Sequence, residues 1–174
     1  MTKEEWELSH DAPAMLAFLR EEHPRFLRSQ IDHLHKFLIA CCWKHQELIP
    51  QKGLRDGLRG AESFLANQID AKHLDHLNYY AEAEAFKIDY ARTNDQINEL
   101  KKLIDGIEPV RNLPFEEARA LLLRAAYFAE GAMIYPRFDD LPWVDSLFTS
   151  EFLCPNLLRE HLKPNFDVAK RWWR

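Results

Sequence analysis

From Ala71 to Ile104 the sequence keeps the spacing and composition of a helix without one glycine or proline. As a single straight rod this segment would reach about 50 Å, against a radius of gyration of about 16 Å for a compact chain of this size. It must therefore break or kink. The sequence offers Thr93-Asn94-Asp95-Gln96 as the place, where Thr93 and Gln96 have the capping-box spacing and would restart a helix carrying Ile97, Leu100 and Ile104 inward. Asp105-Gly106 then ends it.

The same helical character runs through the rest of the chain. Only five of 174 residues are glycine, β-branched residues are scarce, and Ala, Leu, Glu, Arg and Lys dominate, so the expected fold is all-α. A first helix is predicted over about Ala12 to Glu21, capped by Ser9 or Asp11, with Pro13 in its first turn and a stop before Pro24. A second should run from about Phe26 to Leu48, with Leu27, Ile31, Leu34, Leu38, Cys41, Cys42 and His45 on one inward stripe and Arg28, Asp32, His33 and Lys36 outside it. Gly53, Gly57 and Gly60 should loosen a third, from about Leu54 to Ala66. Asp70 caps the fourth. A further helix opens at Pro114 and closes at Gly131, and short helical stretches are expected near Trp143–Phe148 and Asn156–Leu162. The sum is one domain over residues 1–174, a single irregular bundle of six to seven helices with an aromatic-rich C-terminal segment.

Charge and cysteine usage narrow the function classes. A formal net charge of -5 argues against a phosphate-binding surface, which needs clustered Lys and Arg, so nucleic acid is not an expected partner. The longest apolar run, Phe37 to Trp43, is far shorter than the roughly 20 residues of a membrane span, so no membrane partner is expected either. The acidic start, Lys3-Glu4-Glu5-Trp6-Glu7, lacks the basic and apolar regions of a signal peptide. Three cysteines, two of them adjacent, do not make a disulfide framework. A cytoplasmic protein is expected.

The opening Met1-Thr2-x-x-Glu5-Trp6-x-x-Ser9-x-Asp11-x-x-x-Met15-Leu16-x-Phe18-Leu19, followed by Leu38-Ile39-Ala40-Cys41-Cys42, resembles a family of bacterial proteins that begin M-T-x-x-E-W-L and carry an F-A-C-A-C-C run. That family's later L-L-R-D-I-F-G-N-P-F is echoed by Leu157-Leu158-Arg159-Glu160-His161-Leu162-Lys163-Pro164-Asn165-Phe166. Trp43-Lys44 stands where a basic pair usually follows the double cysteine. The resemblance implies a helical bacterial domain and brings no activity, substrate or cofactor with it.

Several constellations bear on chemistry. Cys42-x-x-His45, with Cys41 and His35, puts thiols and imidazoles at neighbouring helical positions where they could reach one metal. A structural zinc wants four ligands from two elements, and Cys154 has no ligand-spaced partner, so buried packing of the cysteines is the favoured reading. Asp32-x-x-His35 and Asp70-x-x-His73-x-x-His76 have the spacing of carboxylate-histidine pairs in metal-binding bundles. Their positions off the apolar stripes favour solvated side chains, with Asp70 as a cap. No serine sits in a G-x-S-x-G elbow and no glycine-rich loop has a phosphate-binding pattern. Asp139-Asp140 beside Trp143 reads as a solvated turn after Pro136 rather than as carboxylates acting on a sugar.

The fourth helix is apolar on two opposite sides. Besides Leu74, Leu77, Ala81, Ala85 and Ile88 it carries Tyr79, Phe86 and Tyr90 on a second stripe. Such a helix is either sandwiched inside the bundle, the favoured reading, or presents an aromatic face to a partner. Trp172 and Trp173 in the tail Lys170–Arg174 pose the same choice. The expected function is a non-catalytic interaction or structural module, with Tyr79, Phe86, Tyr90, Trp172 and Trp173 as candidate partner-binding residues for another protein or a second copy. No cofactor is expected on this reading. The alternative is a small metal-binding bundle or metal-dependent enzyme using His35, Cys42 and His45.

Overall fold

The computed structural model describes residues 1–134 and 144–166. Among them are ten α-helices and no strand, so the all-α expectation holds while the count exceeds the six or seven expected. The elements are α1 (Lys3–Leu8), α2 (Ala12–Glu22), α3 (Pro24–Ser29), α4 (Ile31–Lys44), a 3-10 turn (Gln46–Leu48), α5 (Lys52–Leu65), α6 (Ala71–Asp89), α7 (Asn94–Asp105), α8 (Phe115–Ile134), α9 (Val144–Phe148) and α10 (Pro155–His161).

The additional helices are α1, ahead of the first helix expected, and α3, split from α4 at Gln30. The segment expected as one helix over Phe26–Leu48 is three elements. Ser29 Oγ donates to the Phe26 carbonyl at 2.7 Å, which also accepts from the Gln30 amide, and α4 restarts at Ile31. At the other end α1 is a six-residue helix opened by a reciprocal capping box between Thr2 and Glu5. The break in the long pattern lies where expected, with Thr93 accepting from the Gln96 amide and the Gln96 side chain returning to the Thr93 amide. Asp11 and Asp70 cap α2 and α6 as predicted.

α8 is the central element, packed against α4, α5, α6, α7 and α9. It continues through Gly131 to Ile134, so Gly131 does not end it. The glycines of α5 do not loosen that helix: Gly57 and Gly60 are buried, and a Cβ on Gly57 would overlap Met133 of α8, one on Gly60 the Leu77 side chain of α6. They let α5 approach its neighbours closely. Among the described residues α6 packs chiefly on α5 and α8, burying Leu74, Ala81, Ala85 and Ile88. Arg119 of α8 closes its C-terminal end by donating to the Ile88 and Asp89 carbonyls at 3.2 and 2.7 Å. No helix of the described residues is long and apolar enough to cross a membrane.

Candidate functional site

Because α5 and α8, the helices it packs on most, lie on the aliphatic side of α6, its aromatic side is left outward. Tyr79 is 67% exposed, Tyr80 52%, Phe86 40% and Tyr90 55%, which overturns the favoured expectation that α6 is sandwiched and its aromatic stripe buried. The rings associate edge to face, Phe86 with Tyr90 at 5.5 Å and Tyr79 with Tyr80 at 5.8 Å, and Arg92 lies over the Tyr90 ring at 5.8 Å. Edge-to-face pairing orders the rings without removing them from water.

At Phe86 this stripe runs into a cleft of about 690 Å³ between α6, α8 and α9. Its apolar wall is Phe86, Phe128, Leu147 and Phe152, with Phe128 and Phe152 in ring contact at 5.6 Å. Among the described residues its charged lining is three carboxylates, Glu82 from α6, Glu130 from α8 and Glu151 after α9, and one guanidinium, Arg124. Arg124 Nε donates to Glu151 at 2.9 Å, so that cation is already paired. Burial pushes the Glu130 carboxyl up to about 7, and the Glu82 charge adds to the rise; a desolvated acid facing a like charge resists ionisation. Beside them Tyr127 donates to Asp89 Oδ2 at 2.7 Å, and burial together with that bond raises its phenol pKa.

Glu82, Glu130, Tyr80 and Tyr127 were missed by sequence reasoning. Glu130 had a signal: it interrupts the run from Tyr127 to Ile134 between the buried Ala129 and Gly131, where a solvated acid has no place. Glu82 sits beside the inward stripe of an amphipathic helix and had none.

The residues of the metal alternative are separated. His35 is 1% exposed and its Nε2 donates to the Met133 carbonyl at 3.0 Å, so the expectation of a solvated His35 is wrong. Cys42 is buried in the core, while His45, at the end of α4, turns to Phe152 and Cys154. Cys154, which has no ligand-spaced partner in sequence, meets both His45 and Cys41 in space. Among the described residues no group of three or more His, Cys, Asp or Glu side chains is arranged to hold a metal ion. Asp32, His73 and His76 are exposed, as expected. Asp139, Asp140, Trp143, Trp172 and Trp173 lie outside the described residues. The segment before the tail does dock, Phe166 stacking on Phe18 at 6.1 Å and meeting Trp6 at 6.1 Å.

No protein-family model, curated protein or solved structure matches the chain.

Proposed function

We propose that the protein is a non-catalytic interaction module that takes a basic, partly apolar segment of a partner protein into the cleft between α6, α8 and α9. One observation carries this reading: the exposed aromatic stripe of α6 leads at Phe86 into a cleft whose walls are aromatic and where, among the described residues, three carboxylates face one cation that is already paired. Aromatic walls suit the aliphatic stem of an arginine or lysine, and a ring face attracts its charge. Glu82 and Glu130, which repel one another when empty, would both be satisfied by such a head group. The one thiol-imidazole contact among the described residues, Cys154 with His45, is not part of the cleft lining, so the reading assigns the cleft to recognition.

The test is fluorescence anisotropy with labelled peptides in which arginine or lysine is flanked by leucine or phenylalanine, against counterparts carrying glutamate in place of the basic residue. The basic peptides are expected to bind and the acidic ones not. Phe86→Ala and Glu130→Gln should each weaken binding about tenfold, ~1.4 kcal/mol. A cation favours ionised Glu130, so affinity should rise from pH 6 to pH 8 as that carboxyl loses its proton. Equal affinity for basic and acidic peptides, or indifference to both substitutions, would refute the reading. A dimer broken by Tyr79→Ala and Tyr90→Ala would instead identify a second copy as the occupant of the aromatic stripe.

A further inference from the structure

Outside the cleft lining, Cys41 and His45 at the end of α4 both meet Cys154, more than 100 positions away. Cys154 Sγ lies 3.7 Å from His45 Nε2 and 3.6 Å from the Phe152 carbonyl oxygen. The Cys154 backbone N–H donates to Cys41 Sγ at 3.3 Å. The Cys41 thiol also shares a side-chain hydrogen bond with Cys154. Cys41 is fully buried and Cys154 only partly so. The pair thus has one partly buried cysteine beside an imidazole and one fully buried cysteine next to it. Cys42, equally buried, has no such imidazole contact among the hydrogen bonds of the described residues.

We propose that Cys154 and Cys41 are a peroxide-reactive dithiol, with Cys154 as the attacking thiol, His45 as its base and Cys41 as the resolving thiol. The Cys154 proton passes to His45 Nε2. The thiolate attacks one peroxide oxygen, forming an S–O bond as the O–O bond breaks, and the departing hydroxide takes up the proton as water. Cys41 sulfur then attacks the Cys154 sulfenic acid. The S–S bond forms, the S–O bond breaks, and hydroxide leaves with the Cys41 proton as a second water. Two thiols lose two electrons, and one hydrogen peroxide becomes two waters. The product joins α4 to the residue that opens α10, two elements already in contact.

The order of reaction follows from the surroundings. Burial pushes the Cys41 thiol pKa up, so it is a poor attacker of solvent peroxide. Its amide contact with Cys154 stabilises negative charge on its sulfur at the moment it attacks the neighbouring sulfenic acid.

The experiment treats the full-length protein with hydrogen peroxide and follows it by intact mass and non-reducing peptide mapping. The wild-type chain should lose the mass of two hydrogens and yield a Cys41–Cys154 linked peptide, with Cys42 still free. Cys41→Ser, or Cys41→Ala if the serine variant does not fold, should instead accumulate a Cys154 sulfenic acid that dimedone traps. His45→Gln, checked for an unchanged circular dichroism melt, should slow oxidation of Cys154 by about tenfold or more. A wild-type chain that goes to sulfinic acid at Cys154 without the linked peptide, or that forms only disulfides between chains, would overturn the proposal. Equal rates with and without His45 would overturn its role as the base.

Discussion

His35 Nε2 donates to the Met133 carbonyl oxygen at 3.0 Å, a bond between α4 and α8 that spans 98 positions of sequence. His35 is the one buried polar or charged residue among those described. Burial pushes its pKa down to about 4, outweighing the Met133 and Ala132 carbonyls and the Asp32 charge, all of which favour the cation. The unfolded ring takes a proton near pH 6.5 and the folded ring only near 4, so in that interval the unfolded chain binds more protons. Stability from this group is complete above about pH 6.5 and falls as pH drops towards 4, by about 2–4 kcal/mol. Urea denaturation at stepped pH should show this loss. His35→Gln keeps a donor for Met133 without titrating and should flatten that part of the profile; an equally steep fall in the variant would contradict the assignment.

Gly57 and Gly60 differ in what surrounds them. A Cβ on Gly57 would meet both the sulfur and terminal methyl of Met133, which is itself fully buried and has nowhere to retreat. On Gly60 it would meet the tip of the Leu77 side chain, which is only partly buried. Gly57→Ala should therefore cost about 1–3 kcal/mol as overpacking. Gly60→Ala should lie near neutral, since a leucine that can turn aside is offset by about 1 kcal/mol of helix propensity. Denaturant midpoints of the two variants decide it, and equal losses would show that the α5 interface is uniformly tight.

These glycines also show where sequence reading reaches its limit. The stripe from Leu34 to Cys42 and the caps at Asp11, Asp70 and Thr93 were legible because each is set by residues a few positions apart. Whether Gly57 loosens a helix or admits Met133 depends on a residue from another helix, and no local pattern holds that information. The same holds for α6. Its two apolar sides were visible, but the choice between a central and an edge position turned on α8 taking the middle. The cleft brings Glu82 and Glu130 together from different helices, and Cys154 meets His45 across 109 positions.

Arg159 supplies a third test. Its Nη1 donates to the carbonyls of Trp6 and Ser9 at 3.0 and 2.9 Å, and its Nη2 to Asn156 Oδ1 at 2.6 Å. One partly buried guanidinium thus holds the end of α1 onto α10. A six-residue helix has little stability of its own, so α1 depends on this clasp and on the burial of Trp6. Arg159→Ala should cost about 1–3 kcal/mol by leaving the carbonyls unpaired. Amide exchange in Lys3–Leu8 should accelerate well beyond exchange in α4. Acceleration spread evenly over the molecule would mean that Arg159 supports the fold globally instead of clasping α1.

Glu130 gives a pH dependence of opposite sign to that of His35. Its carboxyl is held near 7 by burial and by Glu82 of α6, whereas an unfolded glutamate titrates near 4.5; Arg124 and Glu151, the other charged groups lining the cleft among the described residues, are engaged with each other. Between those values the folded chain holds a proton that the unfolded chain has lost, so raising the pH through this window weakens the fold. Glu130→Gln removes the titration while keeping the shape. The variant should therefore melt higher than wild type at pH 8, and the difference should shrink towards pH 5. Glu82→Gln should act in the same direction more weakly, because it removes only the repulsion and leaves Glu130 desolvated. Thermal melts of the three proteins at both pH values, with the Glu130 carboxyl followed by NMR titration, measure the effect. A Glu130→Gln advantage of the same size at pH 5 and pH 8 would show that the carboxyl ionises freely in the cleft and that its environment is not desolvated.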